Sequence, residues 1–377
     1  MTERPSRLGF ALEYSLGHVT HAQNLKRTLE TRPEIVPLYV DLPFDGMSGG
    51  WTKLPGVRSN WSLRASLGAW LGLRRQARHL DGALFHTQVT SLFSAGIMRR
   101  VPSVISLDAT PLQYDALGAF YGHVPSSNPR LEALKKRLNQ RAFGAAHRLV
   151  TWSQWAKDSL VADYGVPANK IRVIPPGIDT ALWNVDRSGA PVRNGPVNLL
   201  FVGGDFPRKG GDTLLRAFET LPIALNTHLH IVTKTADIGI NNSDRVTIRR
   251  DVGPNSPALR QLFAEADLFV FPTRGDCLPL AVMEALASGL PVITTRVGAL
   301  PEAVTHGETG WVVPPDDPAA LVEALAHLAG DAVLRRHMGL RAREVALERF
   351  DAACNYRRLV DTVAEGNGLS AATGQPK

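Results

Sequence analysis

Cysteine is nearly absent: Cys277 and Cys354 are the two in 377 residues. That excludes a disulfide-stapled scaffold and a thiolate metal cluster, and it suits a reducing, cytoplasmic setting. No run of about 18 apolar residues occurs, so nothing reads as a membrane span. The stretch Met1 to Phe10 is polar and has no apolar signal core. Missing too are a G-x-G-x-x-G with an acid about 20 residues on, a Walker loop, and an Asp-x-Asp metal-binding pair. These absences argue against a dinucleotide-dependent oxidoreductase, which would use the same kind of sheet. They give no reason to expect a cofactor or a metal. Acidic residues are thin in the first part: residues 1–150 carry 19 Lys+Arg against 10 Asp+Glu, whereas the whole chain is only +7. That surplus suits peripheral contact with an anionic membrane or an anionic acceptor, or is simply a solvated basic surface. It lacks the interleaved aromatics of a nucleic-acid binder, so nucleic acid is not an expected partner.

What is present is an ordinary globular composition, 44% hydrophobic and 20% charged, long enough for two domains. Short runs rich in Val, Ile and Leu alternate with longer helical patterns. In the first half, strands are predicted at Leu8–Leu12, Ile35–Val40, Leu84–Phe85, Ser103–Leu107, Arg148–Thr151 and Ile171–Ile174. Helices are predicted at His18–Glu30 and Asn128–Ala145. Trp61 to Leu80 reads as a further helix, with Leu63, Leu67, Trp70, Leu71 and Leu73 beside Arg64, Arg74, Arg75 and Arg78. It is either a membrane-surface element or a core helix with a charged outer side. The polar stretch 183–196 is the linker candidate, after which the rhythm restarts. Strands follow at Asn198–Val202, His228–Thr233, Val246–Ile248, Leu268–Phe271 and Pro291–Thr294, and helices at Asp212–Thr220, Ser256–Glu265 and Leu280–Ser288. The expected fold is α/β: two Rossmann-like, doubly wound domains, 1–182 and 197–350, facing a cleft, with residues 351–377 crossing back as a helix and tail. Ligands of such sheets bind at the carboxyl ends of the strands.

Two stretches carry chemistry. In Phe271 to Pro291 a strand runs into a loop with Asp276 and then a helix with Glu284, closed by Gly289. A helix start offers free N–H groups and positive dipole to a diphosphate, and the carboxylates can accept from sugar or ribose hydroxyls. Asp276 is equally suited to be a helix cap and Glu284 a solvated helix residue. In Phe201 to Gly211 a strand enters a turn with Gly203 and Gly204, and Arg208-Lys209 follow; the pair could grip a diphosphate.

The run Asp276-Cys277-Leu278-Pro279-Leu280-Ala281-Val282-Met283-Glu284-Ala285 resembles the acid–seven residues–Glu motif of glycosyltransferase family 4, the group 1 glycosyltransferases. Ser288-Gly289-Leu290-Pro291-Val292, Gly298-Ala299-Leu300-Pro301-Glu302 and Gly307-Glu308-Thr309-Gly310 resemble its next blocks in order. The resemblance implies the two-domain GT-B fold and a retaining glycosyltransferase using a nucleotide-sugar donor as co-substrate, without a metal. The acceptor hydroxyl stays unnamed, and the alternative is a sugar-nucleotide-binding protein without transferase activity.

It also implies site roles. Asp276 and the backbone of Cys277, Leu278, Pro279 and Leu280 would hold the donor sugar, with Asp276 standing where Glu is usual. Glu284 would hold the ribose. Lys209 matches the phosphate-gripping Lys, and Arg208 is expected to supply the second charge, since Gly204 occupies the position where many members have Arg. In the N-terminal part Gly17 resembles the glycine loop after the first strand, followed by His18 and, a turn on, His21. His86 ends an Asp-x-x-His-x-His-like strand, with Leu84 at the first His, and is expected to face the cleft. Asp108 occupies a strand-end position usually held by His, where it would orient the acceptor or take its proton. The segment Ser153 to Asp179 matches a part of the family that joins the domains.

Overall fold

The computed structural model describes residues 4–15, 17–47, 49–124, 126–185, 187, 195–240 and 243–367. The chain divides into two compact units. The first runs to Ala116 and takes in Val124–Gly177 and the segment from Ala352; the second holds Leu117–His123 and Ile178–Asp351.

The first unit contains β1 (Ser6–Tyr14), α1 (His18–Glu30), β2 (Ile35–Pro43), α2 (Trp61–Arg74), β3 (Gly82–His86), α3 (Ala95–Met98), β4 (Ser103–Leu107), α4 (Pro111–Ala116), α5 (Pro129–Ala145), β5 (Arg148–Thr151), α6 (Gln154–Ala162) and β6 (Ile171–Val173). Its six strands are all parallel, in the order β2-β1-β3-β4-β5-β6. The second unit follows with β7 (Val197–Val202), α7 (Gly211–Thr220), β8 (Thr227–Val232), β9 (Val246–Arg249), α8 (Pro257–Glu265), β10 (Leu268–Phe271), α9 (Leu280–Ala287), β11 (Val292–Thr295), α10 (Leu300–Ala303), β12 (Gly310–Val313), α11 (Pro318–Gly330) and α12 (Ala332–Arg349). Its sheet is again six parallel strands, ordered β12-β11-β10-β7-β8-β9. The last helix, α13 (Ala352–Ala364), belongs to the first unit.

Both sheets are covered on both faces, which is why their central strands are continuous apolar runs. β3 and β4 are buried at every position. One face of the first sheet packs Phe85, Ile105 and Leu149 against Leu73 and Phe143. The other packs Leu8, Phe10, Leu84 and Val104 against Leu25 of α1 and Tyr356, Leu359, Val360 and Val363 of α13. In the second unit Phe201, Leu229, Val270 and Ile293 meet Leu214, Phe218, Leu321 and Leu325.

Side-chain caps fix the helix starts. Asn60, Asn128, Ser153, Ser256 and Asp317 each accept a backbone N–H from the first turn. The strands run longer than the apolar runs suggest, because ladder bonding carries on through Gly82 and His86 in β3 and through Tyr14 in β1. The Trp61–Leu80 helix ends at Arg74, and Ala77–His79 forms a separate 3₁₀ turn. α2 lies on β2 with Leu42 and Val40 against Gly68 and Gly72, so it is a packed helix and not a free surface element.

The change of unit falls at Gly177–Ile178, ahead of the expected limit at 182. Within the linker candidate, Trp183 is buried against Phe263, and Arg187 donates to the carbonyls of Ser288, Ala266 and Phe263, all in the second unit. Residues 186 and 188–194 of that stretch lie outside the described residues.

Candidate active site

At the carboxyl end of the second sheet, the turn after β7 and the loop after β10 are joined. Gly203 lets the turn close: a Cβ there would stand 2.9 Å from Lys209 Cγ. Gly210, at φ +74°, lets α7 start beneath the loop, where a Cβ would collide with the Pro272 carbonyl at 1.9 Å. A Cβ at Gly204 would make only ordinary contact, 3.9 Å from Lys234 Cγ. The Arg208 carbonyl accepts from the Arg274 N–H at 3.0 Å.

This brings two cations to one carboxylate. Lys209 Nζ lies 2.5 Å and Arg208 Nη1 3.3 Å from Asp276 Oδ1, while Thr273 donates to Oδ2 at 2.7 Å. Arg208 also donates to the Gly275 carbonyl at 2.8 Å and pairs with Asp205 at 3.0 Å, and the Tyr121 ring lies 4.4 Å away. Burial holds the Lys209 ammonium below its ordinary pKa, against the opposing pull of Asp276.

A second arginine clamps the two loops. Arg274 forks onto Asp212 at 2.6 and 2.8 Å, donates to Thr213 at 2.9 Å, and also bonds Asp316 and the Pro207 carbonyl.

α9 begins after Pro279, and no side chain caps it. Its first amides and the positive end of its dipole therefore remain available to an anion. Cys277 and Leu278 are buried just before it. Gly298, at φ +55°, sits against the Asp276 carbonyl, and Ala299 N–H donates to the Cys277 carbonyl at 2.9 Å, fixing the loop's path. Glu284 is buried one turn inside the helix, and burial raises its pKa to about 7.

In the first unit the ends of β1, β3, β4 and β5 gather imidazoles. Gly17 is the residue before α1 and has open space around its Cα. His18 Nε2 lies 3.7 Å from Asp108 Oδ2. His86 is completely buried, packed 4.9 Å from His18, 4.3 Å from His21 and 6.0 Å from Trp152. It lies fully buried inside the unit, where the sequence led to the expectation that it faces the cleft. The cause is its place at the end of a fully buried strand. Burial lowers the His21 pKa to about 3, with His18 adding to the effect, and burial likewise holds His86 well below its ordinary value.

Among the described residues, no group of three or more His, Cys, Asp or Glu is placed to hold a metal, and no helix is long and apolar enough to cross a membrane.

Residues 17–182 match the model of glycosyltransferase family 4, and residues 196–331 match that of the glycosyl transferases group 1. The chain belongs to glycosyltransferase family 4. Its two parallel sheets form the GT-B fold. By structure it is similar to sucrose-phosphate synthase from Thermosynechococcus elongatus (TM-score 0.73, 18% identity, covering 97% of this chain and 100% of that one). It is also similar to Anabaena Alr3699/HepE in complex with UDP-glucose (TM-score 0.66, 18% identity, covering 95% and 99%). By sequence it is similar to the MMP alpha-(1->4)-mannosyltransferase of Mycolicibacterium hassiacum (30% identity, covering 56% of this chain and 53% of the relative). The D-inositol 3-phosphate glycosyltransferase of Nocardia farcinica is 30% identical, covering 72% and 64%. The chain thus spans a little over half to about two thirds of the length of these curated relatives.

Arg208, Lys209 and Asp276 come together beside Gly203, and Cys277, Leu278, Pro279 and Leu280 lead on from Asp276 into α9, which carries Glu284. Gly17, His86 and Asp108 lie at the strand ends of the other unit. Sequence reasoning missed Thr273, Asp205, the Arg274 clamp and the pairing of His18 with Asp108. The one signal for them was proximity to residues already chosen, since Asp205 and Thr273 each stand three positions before a site residue.

Proposed function

We propose that the chain is a retaining glycosyltransferase that moves a sugar from a nucleotide-diphosphate sugar to an acceptor hydroxyl, without a metal. The observation that carries this reading is the convergence of Arg208 and Lys209 on one carboxylate beside the uncapped start of α9. Two cations and a helix start suit a diphosphate and stabilise it as its charge grows on departure. Asp276, holding both cations, sets their spacing and lies where a hydroxyl of the donor sugar can reach its remaining lone pairs. Glu284 accepts from the ribose. In the first unit, Asp108 orients the acceptor, and the leaving diphosphate takes the acceptor proton on the same face, which preserves the anomeric configuration. The UDP-glucose complex of Alr3699/HepE and the glycosyltransferase names of the sequence relatives support this class of donor.

Peripheral contact with an anionic membrane belongs to the same reading, and α5 carries it better than α2. Leu131 and Leu134 are exposed there at 42% and 52%, among exposed Arg130, Lys136, Arg137 and Arg141. Cosedimentation with anionic vesicles, and not with neutral ones, is the expected outcome.

Thermal shifts against UDP-, GDP- and ADP-sugars identify the donor, and NMR of the product reports its anomeric configuration. Lys209→Ala is expected to lower transfer by a factor of about 10² or more while the melting temperature stays within a few degrees. Near wild-type turnover in that variant removes the site assignment. Turnover that EDTA abolishes and magnesium restores removes the metal-free part.

A further inference from the structure

On the reading that the first unit receives the acceptor, we infer that this acceptor is an uncharged polyol or saccharide, held by His18 and Asp108, and that the site rejects phosphorylated acceptors. The inference rests on which groups the topology collects. The order β1-β3-β4-β5 puts four strand ends side by side. Residues 12–15, 17, 18, 84–90, 105–110 and 149–155, which make those ends, include no Lys and no Arg. Their formally charged members are Glu13 and Asp108. Glu13 is already engaged by Ser15, Trp61 and Thr87. Asp108 reaches solvent, with His18 beside it, their side chains 20% and 15% exposed. The cations nearest along the chain are Lys157, in the first turn of α6, and Arg148, at the opposite end of β5.

The hydrogen-bonding inventory points the same way. His18 Nδ1, both ring nitrogens of His86, and Trp152 Nε1 are buried without a partner. An indole N–H only donates, and a neutral imidazole donates from one nitrogen and accepts at the other. Of these groups only His18 and the acceptor-only Asp108 carboxylate reach the surface while His86 and the Trp152 indole stay buried, so a ligand meets a mixed donor–acceptor pair, which is what hydroxyls satisfy because each both gives and takes a hydrogen bond. A phosphate only accepts, and it would bring two negative charges beside Asp108, with no Lys or Arg in those four strand-end segments to offset them. The same molecule shows what an anion-holding strand end looks like: in the second unit it carries Arg208 and Lys209. The inference sets this chain apart from relatives named for a phosphate ester.

The test uses the whole chain and its donor, with matched acceptors at equal concentrations: myo-inositol against D-inositol 3-phosphate, and methyl α-mannoside against mannose 6-phosphate. Donor hydrolysis without an acceptor is followed in parallel. The neutral member of at least one pair is expected to have at least about tenfold higher kcat/KM, and Asp108→Asn is expected to narrow that ratio several-fold. A near-isosteric change at a partly exposed site leaves folding intact, and a melting curve checks this. His18→Gln is the second variant and is expected to raise KM for the neutral acceptor more than it changes KM for the donor. A ratio near one, a preference for the phosphorylated members, or no transfer to any neutral member while donor hydrolysis persists overturns the inference. Absence of both donor binding and donor hydrolysis overturns the glycosyltransferase reading itself, and the inference falls with it.

Discussion

Glu284 holds its proton to about pH 7 in the folded chain, because burial disfavours the carboxylate. The unfolded chain releases that proton near pH 4.5. Between these values the native state binds the extra proton, so this group's contribution to stability is full below pH 4.5 and is lost as pH rises to about 7. The loss is roughly 3 kcal/mol. Glu284→Gln keeps the shape without the charge, so it is expected to melt higher than the parent at pH 8 and alike at pH 4.5. Binding reverses the balance. A ribose hydroxyl donating to the carboxylate favours the charged form, so nucleotide binding releases a proton and tightens as pH rises to 7. Calorimetry in buffers of different ionisation enthalpy reads that proton directly. Proton uptake, or pH-independent binding in the parent, removes Glu284 from the ribose. Arg274 shows a different residue-level role: it touches no reacting group in this reading, yet its bonds to Pro207, Asp212 and Asp316 hold the two loops that present Lys209 and Asp276.

Among the elements, α1 and α13 are joined by a polar contact within an apolar layer. Tyr356 donates to the Gly177 carbonyl and meets His21 Nδ1, both at 3.1 Å, and Asn24 donates to the same carbonyl at 3.2 Å. With the tyrosine proton given to Gly177, His21 donates from Nδ1 and stays neutral. Its pKa of about 3 against an unfolded 6.5 means stability is lost as pH falls through that interval, by roughly 2 kcal/mol at pH 5. His21→Gln is expected to flatten the fall in melting temperature between pH 7.5 and 5; an unchanged slope assigns the acid sensitivity elsewhere. The amphipathic helices and the buried strands were legible because burial on one face or on both leaves a period or an apolar run. Ser103–Leu107 and His18–Glu30 were read to the residue. Gly82 was lost from its strand because ladder bonding, and not side-chain apolarity, places it there, and His86 was read at the strand end from the family resemblance alone. In the site, Asp276 and Glu284 share one loop and helix, so they read as a motif. The Arg274 partnerships span 62 and 42 residues and leave no periodic trace. Nor does burial of His86 behind His18, which depends on strand order.

At the scale of the molecule, two separate cores imply two cooperative transitions. The pH effects above have opposite signs in the two. Acidification from pH 7 to 5 lowers the first unit's transition through His21 and raises the second's through Glu284. On the proposed reading a nucleotide diphosphate binds the second unit, and it is then expected to shift that transition alone, by about 2.7 kcal/mol at a hundredfold excess over Kd. α13 also packs in the unit that β1 belongs to, so removing it acts at a distance in sequence. Deleting from Ala352 onward strips Tyr356, Leu359, Val360 and Val363 from the face built by Leu8, Phe10, Leu84 and Val104. At about 1.5–3 kcal/mol for each large apolar side chain, the loss rivals the roughly 5–15 kcal/mol that hold a domain together. Asp351, which bridges Ile178 and accepts from Thr180 in the second unit, is retained. Differential scanning calorimetry of the truncated chain is therefore expected to lose or strongly lower the pH-sensitive first transition and keep the nucleotide-shifted one. If both transitions survive unchanged, α13 is not a structural member of the first core; if both vanish, the two units fold as one.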